Sequence, residues 1–435
     1  MNLVVLVNRI NYFRFFSSVI KEAVKRKHNV KIWILDDKLL RGGSKSNLYP
    51  KLENLPEICE SLDICYLEEE CLADRLLNDT DIDYVLSLHF PSYYVDASSL
   101  GLLSQKWAML FTGPDTYFEL VMNNANDLTA INNQISIFAY SDYWVDSGKQ
   151  FIEKYYSEFN KLLGKFNMVN VGNTEFDGFN QIDDRTIRRE YNIPENRGVF
   201  LYLPFPCAVR NDKSPWEKMF TNFLDVELYG ETKITTKIKN IANRVVSFVQ
   251  VMTDSNTRKS YVMGLNEKNI FKSIRKFCDN ENLYLVVKPR QKFPVSRAIL
   301  KNADLIVWDD ENQQDPPVLK ELLSVSSVCF SFFSYSVLSS AFTKVFYINT
   351  ILPFEFFTSK MSKFWFSEKI NSMFNYKGVS ESWEIKDVIK KLPSTKLDDL
   401  IVDDIRWKEY ANIYLGKSDY CSSNRVVSYL EDKLK

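Results

Sequence analysis

Two residues suited to proton transfer or hydroxyl binding come directly after strand-like runs of apolar residues. His89 follows the run Asp83–Leu88, and an imidazole that titrates near pH 7 can orient an acceptor or take its proton. The alternative for His89 is a loop histidine held by hydrogen bonds. Asp115 follows the run Trp107–Phe111 and can contact a substrate hydroxyl, act as a general base or cap the next helix. Ligands of open α/β sheets bind where strands end, so both positions predict a site there.

A polar segment at 250–257 follows a third strand-like run, Val245–Val249. Six of its eight side chains are polar, a density that suits binding of sugar hydroxyls or phosphate. Gln250, Ser255 and Asn256 are candidate donor ligands, and Asp254 is a candidate nucleophile or base. The alternative is a solvated turn.

Cations and hydroxyls after two later strands predict a phosphate site. Lys288 and Arg290 follow the run Leu283–Val287, where Arg offers a two-pronged fork and Lys a point charge. The alternative for this pair is a surface charge pair. Further on, serine hydroxyls lead into a helix whose free amides can also bind phosphate, the alternative being a serine-rich helix start without a ligand. These serines are Ser331, Ser334 and Ser336.

Metal and redox-cofactor sites have little support in the sequence. The chain has only two histidines, and its seven cysteines are scattered and never spaced as CxxC. The segment 79–83 matches the D-x-D pattern of metal-dependent sugar transfer twice, but it precedes its strand and reads as a solvated loop. The first strand-to-helix turn, Asn8–Asn11, lacks the glycines of a dinucleotide fingerprint. We therefore predict no metal and no bound cofactor.

Composition narrows the class of protein further. Lys+Arg 55 against Asp+Glu 56 gives 55 − 56 = −1 over 435 residues, which disfavours a basic nucleic-acid binder. Hydrophobic content of 45%, with 14% aromatic residues, supports large cores. No signal peptide precedes the run Leu3–Val7, and no apolar run is long enough to span a membrane. The expectation is a cytoplasmic protein.

The elements that must position these residues alternate between strand and helix. The chain opens with strand Leu3–Val7, helix Phe13–Lys27 and strand Val30–Leu35, which is typical of parallel sheets covered by helices. Further predicted strands are Asp83–Leu88, Trp107–Phe111, Ile135–Tyr140, Met168–Val171, Val199–Leu203, Val245–Val249, Leu283–Val287, Asp304–Val307, Ser327–Phe330 and Val345–Ile348.

This alternation predicts two Rossmann-like αβα domains of the α/β class, whose parallel sheets face each other across a cleft. The predicted boundaries are 1–175 for an acceptor domain, 176–197 for a linker, 198–382 for a nucleotide-sugar domain and 383–435 for C-terminal helices.

Four segments resemble the two-Rossmann-domain (GT-B) glycosyltransferases of bacterial surface polysaccharide assembly, in particular the capsule-synthesis family with retaining β-Kdo transferases. They are Ile137–Trp144 with Val169–Asp177, Gln250–Asn256, Val287–Arg290 and Phe330–Phe342. Arg290 stands where the family usually has histidine, and Ser340 stands where many relatives have a ribose-binding Glu, so the nucleotide remains CMP, UDP or CDP. In the β-Kdo transferases an aspartate is thought to be the nucleophile, and the resemblance gives that role to Asp254.

The resemblance implies a metal-independent transfer of a sugar from a nucleotide-sugar to a bacterial surface glycan or glycolipid. Kdo or a related acidic sugar on CMP is the donor it suggests. The alternatives are a glycerol- or ribitol-phosphate transferase on the same scaffold and a non-catalytic scaffold of polysaccharide assembly. Expected partners are the donor and the acceptor, with peripheral association at the inner membrane or with other synthesis proteins, and no nucleic acid.

Overall fold

The computed structural model describes residues 1–36, 50–113, 116–117, 125–155, 160–204, 226–227, 269–289, 295–308, 318–332, 334–350 and 372–435. Two parallel β-sheets of seven and six strands dominate this part of the chain, one on each side of the segment 171–197. The predicted pair of Rossmann-like domains is therefore confirmed. Strand Val245–Val249 lies outside the described residues.

The first sheet has the order β3-β2-β1-β4-β5-β6-β7, and every neighbouring pair is parallel. Its strands are β1 Asn2–Val7, β2 Asn29–Asp36, β3 Asp63–Glu68, β4 Tyr84–Ser87, β5 Lys106–Leu110, β6 Ile135–Ala139 and β7 Phe166–Asn170. Leu3 to Val7 are almost completely buried because helices cover both faces of β1. Strand β3 was not predicted because it lies at the edge of the sheet and consists of exposed and half-buried residues, which leaves no continuous apolar run.

The second sheet has the order β12-β10-β8-β13-β14-β15 and is also parallel throughout. Its strands are β8 Gly198–Tyr202, β10 Leu283–Val287, β12 Leu305–Ile306, β13 Val328–Ser331, β14 Phe346–Thr350 and β15 Ser380–Trp383. A separate antiparallel pair joins β9 Val226–Glu227 to β11 Val295–Ser296. Strand β15 was not predicted, because its sequence SESW has only one apolar residue.

Helices connect and cover these strands. The α-helices are α1 Phe13–Lys25, α2 Leu72–Asn78, α3 Pro91–Tyr94, α4 Ala97–Leu100, α5 Asp142–Tyr155, α6 Asn160–Leu163, α7 Asp184–Glu190, α8 269–280, α9 Arg297–Asn302, α10 Val318–Ser324, α11 Ser336–Phe342, α12 Ile385–Lys391, α13 Asp404–Tyr410 and α14 Ser422–Asp432. Among the 3-10 segments, Ile10–Tyr12 and Thr174–Gln181 bear on function. No helix in the described ranges is long and apolar enough to cross a membrane.

The last helix, α14, returns to the first domain, and we refer to it as the strap. Its buried residues Val426, Val427 and Leu430 share a core with strand β1 and helix α1. A hydrophobic residue of this kind contributes about 1.5–3 kcal/mol when fully buried. The strap thus completes the core of the first domain although it lies at the other end of the sequence.

Candidate functional site

A contact between Gly113 and Tyr335 brings the carboxyl ends of the two sheets together. Gly113 follows β5, and Tyr335 lies between β13 and α11. A Cβ atom on Gly113 would lie 3.5 Å from Cζ of the Tyr335 ring, and the backbone of Gly113 has a φ of +106°. Side chains rarely tolerate such a φ, so glycine suits this close approach. We call the region between the two carboxyl edges the cleft.

His89 lies on the first domain's side of the cleft, just beyond β4, as the sequence predicts. Its Nε2 atom is 2.7 Å from the hydroxyl of Tyr12. Its ring stacks on Tyr93 with 4.4 Å between centroids, and the Ser87 hydroxyl donates a hydrogen bond to its carbonyl oxygen at 2.6 Å. The imidazole is half-buried and fixed in orientation, which an acid, a base or an orienting group requires.

The turn after β1 contributes three polar residues that sequence reasoning did not propose as site residues. Asn8 is only 5% exposed, and its Oδ1 atom is buried without a hydrogen-bond partner. The Oδ1 atom of Asn11 and the Nε atom of Arg9 are also buried without partners. The signal in the sequence is a run of polar residues, Asn8, Arg9 and Asn11, around the turn that directly follows an apolar strand.

Arg14, Glu175 and Tyr140 extend this polar edge toward the end of β6. Arg14 Nε lies 3.8 Å from a Glu175 carboxylate oxygen. Burial raises the pKa of the Tyr140 phenol, and the negative charge of Glu175 raises it further, while Arg14 opposes the rise. Tyr140 is therefore neutral at physiological pH and can act only as a hydrogen-bonding group there.

On the second domain's side, Lys288 and Ser331 lie at the carboxyl ends of β10 and β13. These strands flank β8, so two polar side chains border the end of a central strand. Lys288 is 8% exposed and Ser331 is 4% exposed. A lysine this deeply buried is unusual, and Lys288 has a contact within the protein.

Ser334 and Ser336, two of the predicted phosphate ligands, make internal contacts. The Ser334 hydroxyl oxygen accepts a hydrogen bond from the amide of Ser336 at 3.3 Å. The Ser336 hydroxyl is 3.2 Å from the hydroxyl of Tyr347, whose pKa is raised by burial. Ser340 is fully buried, and its hydroxyl donates to the carbonyl oxygen of Val345 at 2.9 Å. Ser340 therefore helps to hold the end of α11.

The remaining predicted site residues lie outside the described residues: Asp115, Gln250, Asp254, Ser255, Asn256 and Arg290. In the described part of the chain, no group of three or more His, Cys, Asp or Glu residues could hold a metal ion. The D-x-D segment lies at the opposite, amino ends of the strands. There a carboxylate oxygen of Asp83 accepts a hydrogen bond from the backbone nitrogen of Asn2 at 2.7 Å.

No protein-family sequence model and no curated protein sequence matches the chain. Solved structures do. UDP-GlcNAc 2-epimerase from Methanocaldococcus jannaschii has a TM-score of 0.54 at 13% identity, with 99% of this chain and 100% of that chain covered. Staphylococcus aureus MnaA bound to UDP has 0.51 at 10% identity, covering 100% and 97%. A variant of the wall teichoic acid polymerase TagF has 0.51 at 9% identity, covering 99% and 88%. With its two facing parallel sheets, the chain has the GT-B fold.

Proposed function

We propose that this protein transfers a sugar from a nucleotide-sugar donor to a glycan acceptor, with the reaction in the cleft. The observation that carries the proposal is the facing pair of polar edges. Lys288 and Ser331 border one edge, His89 and the turn after β1 border the other, and Tyr335 of the second domain approaches Gly113 of the first. A two-substrate transfer requires two binding edges of this kind.

On the donor side, Lys288 would bind the phosphates of the nucleotide. Its ammonium group would stabilise the negative charge that develops on the departing nucleotide as the glycosidic bond breaks. In an almost dry environment this attraction is much stronger than in water. Ser331 would add a hydroxyl contact. Arg290, Gln250, Ser255 and Asn256 remain predicted donor ligands, as do Ser334 and Ser336 once local contacts rearrange.

On the acceptor side, His89 would orient the attacking hydroxyl or take its proton. The Tyr12 hydroxyl, 2.7 Å away, would fix the orientation of the imidazole. Asp254 remains the predicted nucleophile of a retaining reaction, and Asp115 remains a predicted hydroxyl contact or base. A retaining reaction would form a covalent sugar intermediate on Asp254, which the acceptor hydroxyl then displaces.

The first experiment tests which nucleotide the protein binds. One of the similar proteins is named for UDP-GlcNAc and another was solved with UDP, so UDP and UDP-GlcNAc lead the set, followed by CMP-Kdo and CDP-glycerol. Isothermal titration with each compound should show saturable binding of at least one nucleotide, with weaker binding to Lys288→Ala. An absence of binding to every nucleotide would overturn the proposal.

Three other functions on the same fold give different products. An epimerase would convert UDP-GlcNAc to its epimer without an acceptor, which proton NMR detects. A glycerol-phosphate transferase, which the similarity to TagF brings into consideration, would consume CDP-glycerol and release CMP. A non-catalytic scaffold would bind a nucleotide without turnover on any acceptor and would co-purify with another synthesis protein.

A further inference from the structure

The turn after β1 contains an arginine, Arg9, that has no ion pair with any of the described residues. The Arg9 side chain makes no hydrogen bond and no ion pair anywhere in the described residues, and its Nε atom is buried. The Arg9 side chain as a whole is half-buried. A ligand can supply the contact that its buried Nε–H lacks.

Two asparagines near Arg9 in the sequence, Asn8 and Asn11, lack hydrogen-bond donors for their side-chain oxygens. The side-chain oxygens of Asn8 and Asn11 are hydrogen-bond acceptors, both buried and unsatisfied. Hydroxyl groups are donors that match them. A guanidinium and two amide oxygens in one turn suit a ligand that carries an anionic group together with hydroxyls.

The backbone around Arg9 fixes these groups in place. Ile10 is fully buried and anchors the 3-10 turn Ile10–Tyr12 in the core. The amide of Tyr12 donates a hydrogen bond to the carbonyl oxygen of Arg9 at 3.0 Å, and the hydroxyl of Tyr12 is 2.7 Å from His89 Nε2. Tyr12 thus connects the backbone of Arg9 to the side chain of His89.

We propose that Arg9, with Asn8 and Asn11, binds a carboxylate or phosphate group on the acceptor, so that the acceptor is an acidic or phosphorylated sugar. This inference rests on the proposed function. The acceptor is favoured over the donor because Arg9 lies on the first domain, whereas Lys288 supplies a cation on the second. The guanidinium fork matches the planar carboxylate and the phosphate equally well.

The test compares three monosaccharide probes by saturation-transfer NMR: methyl glucuronide, glucose 6-phosphate and methyl glucoside. Wild type should prefer at least one anionic probe over the neutral glucoside, and Arg9→Gln should lower anionic affinity roughly ten- to hundredfold. Arg9→Lys should recover part of the loss. Arg26→Gln, which changes an arginine in contact with the strap, serves as the control and should leave the preference unchanged.

Separate titration of UDP distinguishes the two sources of the anion. Under the proposal, Arg9→Gln leaves UDP affinity unchanged. If UDP affinity falls as much as probe affinity, the anion belongs to the donor and the inference is wrong. Equal binding of all three probes to wild type would also overturn it. The probe experiment needs no nucleotide, so it still decides the anion preference if the proposed donor reaction fails.

Discussion

The cleft and the strap use the same residue types in opposite ways. At the strap, His28 Nε2 lies 2.7 Å from Glu431, and Arg26 lies 2.8 Å from Glu22 and 2.7 Å from Glu431. At the cleft, the side chain of Arg9 has no described ionic partner.

This difference suggests that the charged groups at the strap stabilise the fold, whereas those at the cleft bind ligands. Charged groups with fixed opposite charges hold elements together, as the strap holds the first domain. A buried polar group that has no partner in the protein is a place where a ligand can supply the missing contact. Each histidine of the chain belongs to one of these regions, so each pair of variants below tests the assignment.

Replacing the two histidines should give the largest contrast. His89→Ala should lower turnover about 10²- to 10⁴-fold with little change in melting temperature, because it removes a proton-transfer or orienting group. His28→Ala should lower the melting temperature and leave turnover almost unchanged. Steady-state kinetics and thermal unfolding of both variants measure this. An unstable His89→Ala protein with normal turnover per folded molecule would make His89 structural.

Replacing Lys288 should affect donor affinity. A charged hydrogen bond is worth about 1.5–3 kcal/mol, so Lys288→Ala should weaken nucleotide binding roughly ten- to hundredfold. The loss should disappear for the nucleoside, which has no phosphate. Lys106→Ala is the matched control, because Lys106 donates to the carbonyl oxygen of Lys433 just beyond the strap. Equal losses for nucleotide and nucleoside would contradict a phosphate contact.

Replacing Arg26 should destabilise the fold more than replacing Arg9. Arg26 and its carboxylate partners have side chains 15–29% exposed, between an open surface pair and a buried one. Arg26→Ala should therefore cost about 2 kcal/mol of unfolding free energy. Arg9→Ala should change it by less than about 0.5 kcal/mol. Thermal and urea unfolding compare the two, and a larger loss for Arg9→Ala would show that Arg9 supports the fold.

The smallest effect we expect is a loss, at acid pH, of the stability that Glu431 contributes at the strap. Burial opposes ionisation of Glu431, but the hydrogen bond to His28 and the charge of Arg26 outweigh it and lower its pKa. A lowered carboxylate pKa contributes stability above the unfolded pKa, and that contribution is lost as the pH falls through the folded pKa. The difference in melting temperature between wild type and Glu431→Gln should thus be present at pH 5.5 and shrink toward about pH 3.5. A constant difference would contradict this.

The sequence predicted the central strands of both sheets, but not which domain the strap packs against. Runs such as Leu3–Val7 and Leu283–Val287 are continuously apolar because both faces of a parallel strand are buried. Edge strands β3 and β15 lack such runs and were missed. The apolar stripe of the strap predicts a helix, yet no local pattern says which domain it covers.

The sequence predicted the positions of three candidate site residues relative to their strands. His89 and Lys288 follow their strands, and Ser331 is the last residue of β13. Their roles stay predictions. The turn containing Arg9 was not among the candidates, because a missing partner is visible only in the folded structure. Partners come from residues distant in sequence, as Arg26 and Glu431 show for the strap.

Hydrogen exchange with and without saturating UDP tests most directly whether the cleft is the nucleotide site. We expect slower exchange of backbone amides at 283–289 and 328–332, where β10 and β13 end. Exchange across the strap, 422–432, should not change. Bound UDP that protects the strap and leaves both strand ends unaffected would show that the cleft is not the nucleotide site.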